Sequence, residues 1–268
     1  MRSKFRLGID AGGTFTDFIL ADDQGKVRLF KTLSTPSDPT KAIKNGLGLI
    51  TEELGISAKD IISQCDLCIN GTTVGLNALI QHKGAKVGLI CTAGHEDSIE
   101  IRLGHKEDGY RYDPEYPPAV MLAPRYLRMG VKERVVSNGE VHTAMQDADV
   151  REACTYFLKE GVEAVAISFL WSVINPDHER RAAAIVREMM PHVILTVGSE
   201  LYPQIREYTR TSTAITNAYL GPILKRYIDS VDVYFKELGA TSPVRYFQSN
   251  GGLPSTLVQH QHPKRGSM

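Results

Sequence analysis

One stretch, Gly8-Ile9-Asp10-Ala11-Gly12-Gly13-Thr14-Phe15-Thr16-Asp17, constrains this chain more than any other. An apolar strand ends on Asp10 and enters a two-glycine turn. Hydroxyls and a second acid follow before the next strand. Glycines let a backbone approach a phosphate closely and aim N–H groups at it. Thr14 and Thr16 add hydroxyl donors, and Asp10 and Asp17 are hard oxygen ligands suited to Mg²⁺. The spacing is not the G-x-G-x-x-G that opens a helix in dinucleotide folds. Nor does a G-x-x-x-x-G-K-[ST] loop occur anywhere. A plain β-hairpin turn would use the same glycines; the doubled Asp and Thr around them favour phosphate binding.

The rest of the chain alternates extended and helical segments, which predicts an α/β fold. FRLGIDAGGTFTDFILADDQGKVRLFKTLS reads as a three-strand meander, with turns at Gly12-Gly13 and at Asp22-Asp23-Gln24-Gly25. Asp38 caps a helix that has Pro39 at its first position, and Ser57 with Asp60 starts another in capping-box style. CDLCING reads as a strand, TTVGLNALIQHKG as a helix and KVGLICTAG as a strand. Residues 104–130, punctuated by Pro114, Pro117, Pro118 and Pro124, read as a long loop or insertion. Two strands, LRMGVKERVV and GEVHTAM, should then pair through Ser137-Asn138-Gly139. Asp147 is expected to cap the next helix. VEAVAISFLWS has the continuous apolar character of a buried parallel strand. A long helical stretch from Arg206 to Gly239 should bend at Gly221-Pro222. PVRYFQSNGG is a last strand, and the tail with His260 and His262 has no packing pattern.

With 268 residues the chain has room for one large domain or two modest ones. Lys plus Arg is 31 and Asp plus Glu is 31, so the net charge of +0 gives no global case for nucleic acid or an anionic membrane. No apolar run approaches the roughly 18 residues of a membrane helix, and no apolar segment follows the basic start, so a cytoplasmic location is expected. Cys65, Cys68, Cys91 and Cys154 are too few for a disulfide framework. Cys65 and Cys68 form C-x-x-C within a strand and lack a second pair, which predicts core cysteines ahead of metal or redox roles.

Three further segments could carry chemistry. Asn70-Gly71-Thr72-Thr73-Val74-Gly75-Leu76-Asn77 lies at a strand-to-helix junction, where free N–H groups attract anions, although Thr72 or Thr73 could simply cap the helix. Arg206, Glu207, Arg210, Thr211, Ser212 and Thr213 cluster at a helix start and could clamp a carboxylate or phosphate, or form a solvated helix face. Gln248-Ser249-Asn250-Gly251-Gly252 is again a strand running into a glycine turn.

GIDAGGTFTD, NGTTVGLNALIQHKGAKVGLICTAG, VEAVAISFLWSVINPDHERR, SELYPQIREYTRTSTAITNAYL and QSNGG occur in the order and at about the spacing of the hydantoinase A / 5-oxoprolinase family. The chain resembles the N-terminal part of those proteins up to about Leu253. That resemblance implies an α/β fold of the actin-like ATPase/sugar-kinase (ribonuclease H-like) type, a mixed sheet with flanking helices and an incomplete second lobe. It implies an N-terminal domain over 1–185, the start of the hydantoinase A core over 186–253 and a flexible tail over 254–268. It also implies ATP with Mg²⁺ or Mn²⁺, and phosphorylation of a carbonyl oxygen. In hydantoinase and oxoprolinase relatives this activates a cyclic amide for ring opening; in acetone and acetophenone carboxylase relatives it serves a ketone or bicarbonate. By matching positions, Asp10 and Asp17 would be catalytic and Asp10 a metal ligand. Gly12, Gly13, Thr14 and Thr16 would cradle phosphates. Asn70, Gly71, Thr72, Thr73, Arg206, Glu207, Arg210 and Ser212 would face the substrate. The partners implied are a small molecule and either further copies of the chain or a hydantoinase B-type subunit. A non-catalytic partner-binding domain is the alternative from a different class. The chain departs from the family pattern at Asn70 and Trp171, where His is expected, and at Leu76, where Thr is expected. Family members also continue beyond QSNGG into a second loop of the Gly-Pro-x-Gly-Gly sort. The expectation is therefore an excised piece or a lobe supplied by another chain.

Overall fold

Alternation along two adjoining strands sets the first sheet. In β1 (Phe5–Ala11), Phe5, Leu7, Ile9 and Ala11 are buried; in β2 (Phe15–Asp22), Thr16, Phe18 and Leu20 are buried. One face thus goes to a core and the other is open, as a period of two requires. The computed structural model describes residues 5–35, 38–102, 112, 113, 115, 120–248, 252 and 253. The chain divides into two compact units, Met1–Lys83 with Ile223–Met268, and Gly84–Pro222.

The first unit is built on a mixed sheet that adds β3 (Val27–Leu33), β4 (Cys65–Thr72) and β11 (Arg245–Tyr246) in the order β11-β4-β1-β2-β3. β2 is antiparallel to both neighbours, while β4 runs parallel to β1 and β11 parallel to β4. In chain order this is 3-2-1-4-5 with the second strand reversed, the ribonuclease H-like arrangement. The buried face packs on α1 (Pro39–Leu54), α2 (Ala58–Ser63) and the last turns of α8 (Glu207–Glu237). Phe18, Ile43, Leu47, Ile61, Val231 and Phe235 share that core. Asp38 caps α1 by accepting from Thr40 N at 3.1 Å, and Ser57 Oγ caps α2 by accepting from Asp60 N at 3.1 Å. Cys65 and Cys68 are buried among these side chains. The hydrogen bond with the neighbouring Cys68 thiol, and then burial, drive the Cys65 pKa far above its ordinary value.

The second unit holds a parallel sheet of β5 (Val87–Thr92), β6 (Arg128–Val131), β9 (Ala164–Ser168) and β10 (Ile194–Val197), in the order β10-β9-β5-β6. α5 (Asp147–Glu160) and α6 (Asp177–Met189) cover it, with Phe157, Val150, Ile185 and Val186 in the core.

Two sequence expectations change here. LRMGVKERVV is not one strand: β6 joins the parallel sheet, and β7 (Arg134–Val135) pairs with β8 (Val141–Thr143) in a separate ribbon. Glu133 lies at the break with its carboxylate buried against Thr92 and His178, so an inward-turned acid ends the strand. Asp147 is the first residue of α5 and not its cap; it pairs instead with Arg181 at 2.7 Å. Thr73 is the N-cap residue of α3 (Val74–Ile80) without a side-chain bond, and Thr72 Oγ1 accepts from Val74 N at 3.2 Å. Pro222 sits inside α8, which continues on both sides of it. Residues 104–111, 114 and 116–119 of the predicted 104–130 loop, Ser249–Gly251 and the tail with its two histidines lie outside the described residues. Among the described residues no helix is long and apolar enough to cross a membrane.

Candidate functional site

In the first unit, β1, β4 and β11 run parallel, so their carboxyl ends meet at one edge of the sheet. The β1–β2 turn closes there through Gly12 N donating to Phe15 O at 3.1 Å. A Cβ on Gly12 would stand 2.9 Å from that carbonyl, closer than real Cβ atoms approach, so only glycine fits. One on Gly13 would come within 3.1 Å of Asn77 Nδ2. Ser34 braces the turn: its hydroxyl donates to Gly12 O at 2.7 Å and bonds Thr16 Oγ1 at 2.9 Å, and its N–H donates to Thr14 O at 2.9 Å. Thr16 is therefore buried and engaged in holding the turn, whereas Gly13 and Thr14 are exposed.

Asp10 and Asp17 are register partners on the open face. Asp17 lies 2.9 Å from Lys31 Nζ, while Asp10 is exposed and forms no ion pair among the described residues. Gly71, the register partner of Asp10 on β4, leaves room beside that carboxylate: a Cβ there would meet Asp10 Oδ1 at 3.6 Å.

Next to the turn, Thr72 Oγ1 and Thr73 N both donate to Ala11 O, at 3.3 and 3.2 Å. Asn70 is 1% exposed; its Oδ1 accepts from the Tyr227 hydroxyl at 2.8 Å, and its Nδ2 has no partner. Gln248, just past β11, is also buried and its Nε2 is also unpartnered. A buried donor left without an acceptor is costly. Two of them at the end of the sheet where the glycine turn lies suit an anionic ligand. Asp10 with its neighbour Asp17 fits a hard divalent cation held mainly by phosphate oxygens and water. No group of three or more His, Cys, Asp or Glu with metal-binding spacing occurs among the described residues.

In the second unit, Arg206, Glu207 and Arg210 line one cavity and Ser212 another, the latter together with Arg102 and Tyr208. Arg210 is 2% exposed. Its guanidinium donates to Gln204 O at 3.0 Å and to Phe169 O at 2.8 Å, leaving Nε unpartnered. Burial lowers its pKa. Glu179, fully buried, accepts from Phe169 N and Ser199 N at 2.8 Å each, and burial raises its pKa. Trp171 lines the Arg206 cavity.

Sequence reasoning did not single out Lys31, Ser34 or Tyr227. Lys31 reaches Asp17 from β3, Ser34 reaches the turn from the loop after that strand, and Tyr227 comes from 157 residues beyond Asn70. Gln248 stood in a noted glycine motif, but nothing in the sequence marks its amide as an unpartnered donor.

A 3-2-1-4-5 mixed sheet with a glycine turn between its first two strands defines an α/β fold of the actin-like ATPase type. The chain belongs to the hydantoinase/oxoprolinase family. The family's N-terminal region matches residues 6–190, and the hydantoinase/oxoprolinase domain matches residues 210–264. Caprolactamase subunit alpha of Pseudomonas jessenii is 59% identical over 260 residues, which cover 97% of this chain and 37% of that protein. The acetophenone carboxylase gamma subunit of Aromatoleum aromaticum is 36% identical over 225 residues, covering 80% of this chain and 31% of its own length. The crystal structure of the ATP-dependent caprolactamase from Pseudomonas jessenii superposes with a TM-score of 0.86 at 62% identity, over 92% of this chain and 36% of that one. The chain thus spans 31–37% of the length of these relatives.

Proposed function

We propose that this chain is the nucleotide-binding part of an ATP-dependent cyclic-amide hydrolase. The observation that carries the reading is the carboxyl end of the sheet, where the Gly12-Gly13 turn and the exposed Asp10 carboxylate follow β1 and two buried unpartnered amides, Asn70 and Gln248, lie near the ends of β4 and β11. Backbone N–H groups of the turn and the hydroxyl of Thr14 bind phosphate oxygens. Asp10 holds the divalent cation that accompanies ATP, Mg²⁺ or Mn²⁺, and Asp17, tied to Lys31, adds negative charge beside it. That cation neutralises charge on the transferring phosphoryl group. Asn70, Gly71, Thr72 and Thr73 border the phosphates on the side from which an acceptor would approach.

An amide carbonyl is a poor electrophile. Its oxygen attacks the γ-phosphorus, the bond to the bridging oxygen breaks and ADP leaves. Water then adds to the activated carbon, and the ring C–N bond breaks as nitrogen takes a proton. A second water releases phosphate. The protein's contribution to the phosphoryl step is positioning and charge stabilisation by fixed donors. ATP as co-substrate agrees with a cytoplasmic location, and a hydantoinase B-type subunit or further copies of the chain complete the enzyme. The test is ADP release dependent on a lactam, measured on the full-length protein with its partner subunit. The reading requires Asp10→Asn to abolish that release, and turnover unaffected by the substitution would refute it.

The likeness to the acetophenone carboxylase gamma subunit favours a second reading, ATP-dependent ketone carboxylation. ATP use that requires bicarbonate and a ketone, with no response to lactams, would select it.

A further inference from the structure

The second unit has a cavity of its own. Read across its sheet, the strands run β6-β5-β9-β10, so the chain leaves β5 first to one side and then to the other. The connections part between β5 and β9, and open parallel sheets bind ligands in the crevice beyond the carboxyl ends of the strands at such a point. A cavity of about 210 Å³ lies there. His95 reaches it from just beyond β5, Leu170 and Trp171 from just beyond β9, and Arg206 and Arg210 from the start of α8.

Its chemistry is unbalanced in one direction. Three guanidinium groups, Arg134, Arg206 and Arg210, face one carboxylate, Glu207. Arg134 lies 3.3 Å from His95 Nε2, and neither Arg206 nor Glu207 forms an ion pair among the described residues. Arg210, almost fully buried, keeps its unpartnered Nε. The backbone is strained at the same place: Trp171 and Arg206 have φ of +55° and +85°, in the region that favours glycine. Strain of this kind persists where surrounding structure holds it, and it clusters at ligand sites. The support is visible. Leu170 N donates to Thr92 Oγ1 at 3.0 Å, Phe169 N to Glu179, and Thr92 in turn bonds buried Glu133.

We infer that this cavity binds a small amino acid, its carboxylate held by Arg206 and Arg134 and its ammonium by Glu207, with Trp171 against the carbon chain. The volume is below the roughly 300–1,000 Å³ of pockets for drug-sized ligands, so the molecule is small. Bidentate guanidinium geometry suits a carboxylate, and a single opposing acid suits an amine. The inference rests on the proposed function only in giving the ligand an origin: ring opening of a lactam yields a molecule with these two ends.

The experiment is calorimetric titration of the full-length protein, without nucleotide, using 6-aminohexanoate, hexanoate, caprolactam and inorganic phosphate. The expected result is binding of 6-aminohexanoate at least tenfold tighter than of hexanoate or caprolactam. Arg206→Gln and Glu207→Gln should each weaken it at least tenfold, with melting temperatures unchanged. Equal binding of caprolactam would overturn the inference, because the charges would then not be read. Displacement of 6-aminohexanoate by phosphate at similar concentration would also overturn it, in favour of a phosphate site. So would unaltered affinity in both variants. Asp10→Asn separates the two claims: it should leave this binding intact, and it alone tests the ATP reading.

Discussion

The Tyr227 hydroxyl donates to Asn70 Oδ1 at 2.8 Å, and both groups are buried. Because the oxygen of the amide is engaged, its nitrogen is the group left over, buried and without a protein partner. The bond therefore decides which way a donor faces. Tyr227→Phe should cost about 1 kcal/mol of stability, the net worth of an ordinary hydrogen bond. It should also weaken Mg²⁺-ATP binding by about fivefold, the equivalent of that energy, because the amide can then turn its oxygen toward the phosphates. Calorimetry with a non-hydrolysable ATP analogue reads this out, and unchanged affinity would remove Asn70 from the site.

A second expectation separates turn geometry from turn strain. Gly12→Ala forces a Cβ to 2.9 Å from Phe15 O, so the turn has to open. Gly25, in the next turn, has φ +82° and no atom within 4 Å of an added Cβ, so Gly25→Ala meets only backbone strain. Both substitutions should lower stability by about 1–3 kcal/mol, but only Gly12→Ala should abolish nucleotide binding. Loss of binding in both would mean that the effect comes through stability alone.

Much of the first unit was legible because its signals are local. Alternation in β1 and β2, the glycine turn and the Asp38-Pro39 helix start are each contained within a few residues, and each forms as expected. What could not be read depends on burial decided elsewhere. Nothing near Glu133 in the sequence marks it as buried; it is buried because Thr92 and His178 satisfy it from other elements. The Tyr227–Asn70 bond joins positions 157 apart in the chain. At the start of α8, helical geometry divides a cluster that looked continuous. Arg206 and Arg210 are four residues apart and share a cavity, while Ser212, two residues on, faces another.

Two glycines in α1 give a test with opposite signs in one helix. A Cβ on Gly46 would lie 2.1 Å from Phe18 Cε2, whereas Gly48 has nothing within 4 Å. Gly46→Ala should destabilise by about 1–3 kcal/mol as the helix is pushed off the sheet. Gly48→Ala should stabilise by about 1 kcal/mol, the helix propensity difference. Denaturant midpoints of the two variants compare them directly, and destabilisation by Gly48→Ala would show that the close packing extends around the helix.

Burial of thiols makes a prediction for alkaline solution. Desolvation pushes Cys91 up to about 12 and Cys154 up to about 11, from an ordinary value of 9.0. Between pH 9 and 11 the unfolded chain therefore releases these protons while the folded chain keeps them. The folded state binds more protons, so its stability falls as pH rises, by about 1.4 kcal/mol per pH unit for each thiol. Below pH 9 both states are protonated and neither thiol contributes a slope. Urea midpoints measured from pH 8 to 11 should decline only above about 9, and Cys91→Ala should make that decline shallower even though it lowers stability throughout. A slope identical to that of the parent protein would mean that Cys91 ionises in the folded state as readily as in the unfolded one, and that its side chain is not sealed from water as its burial requires.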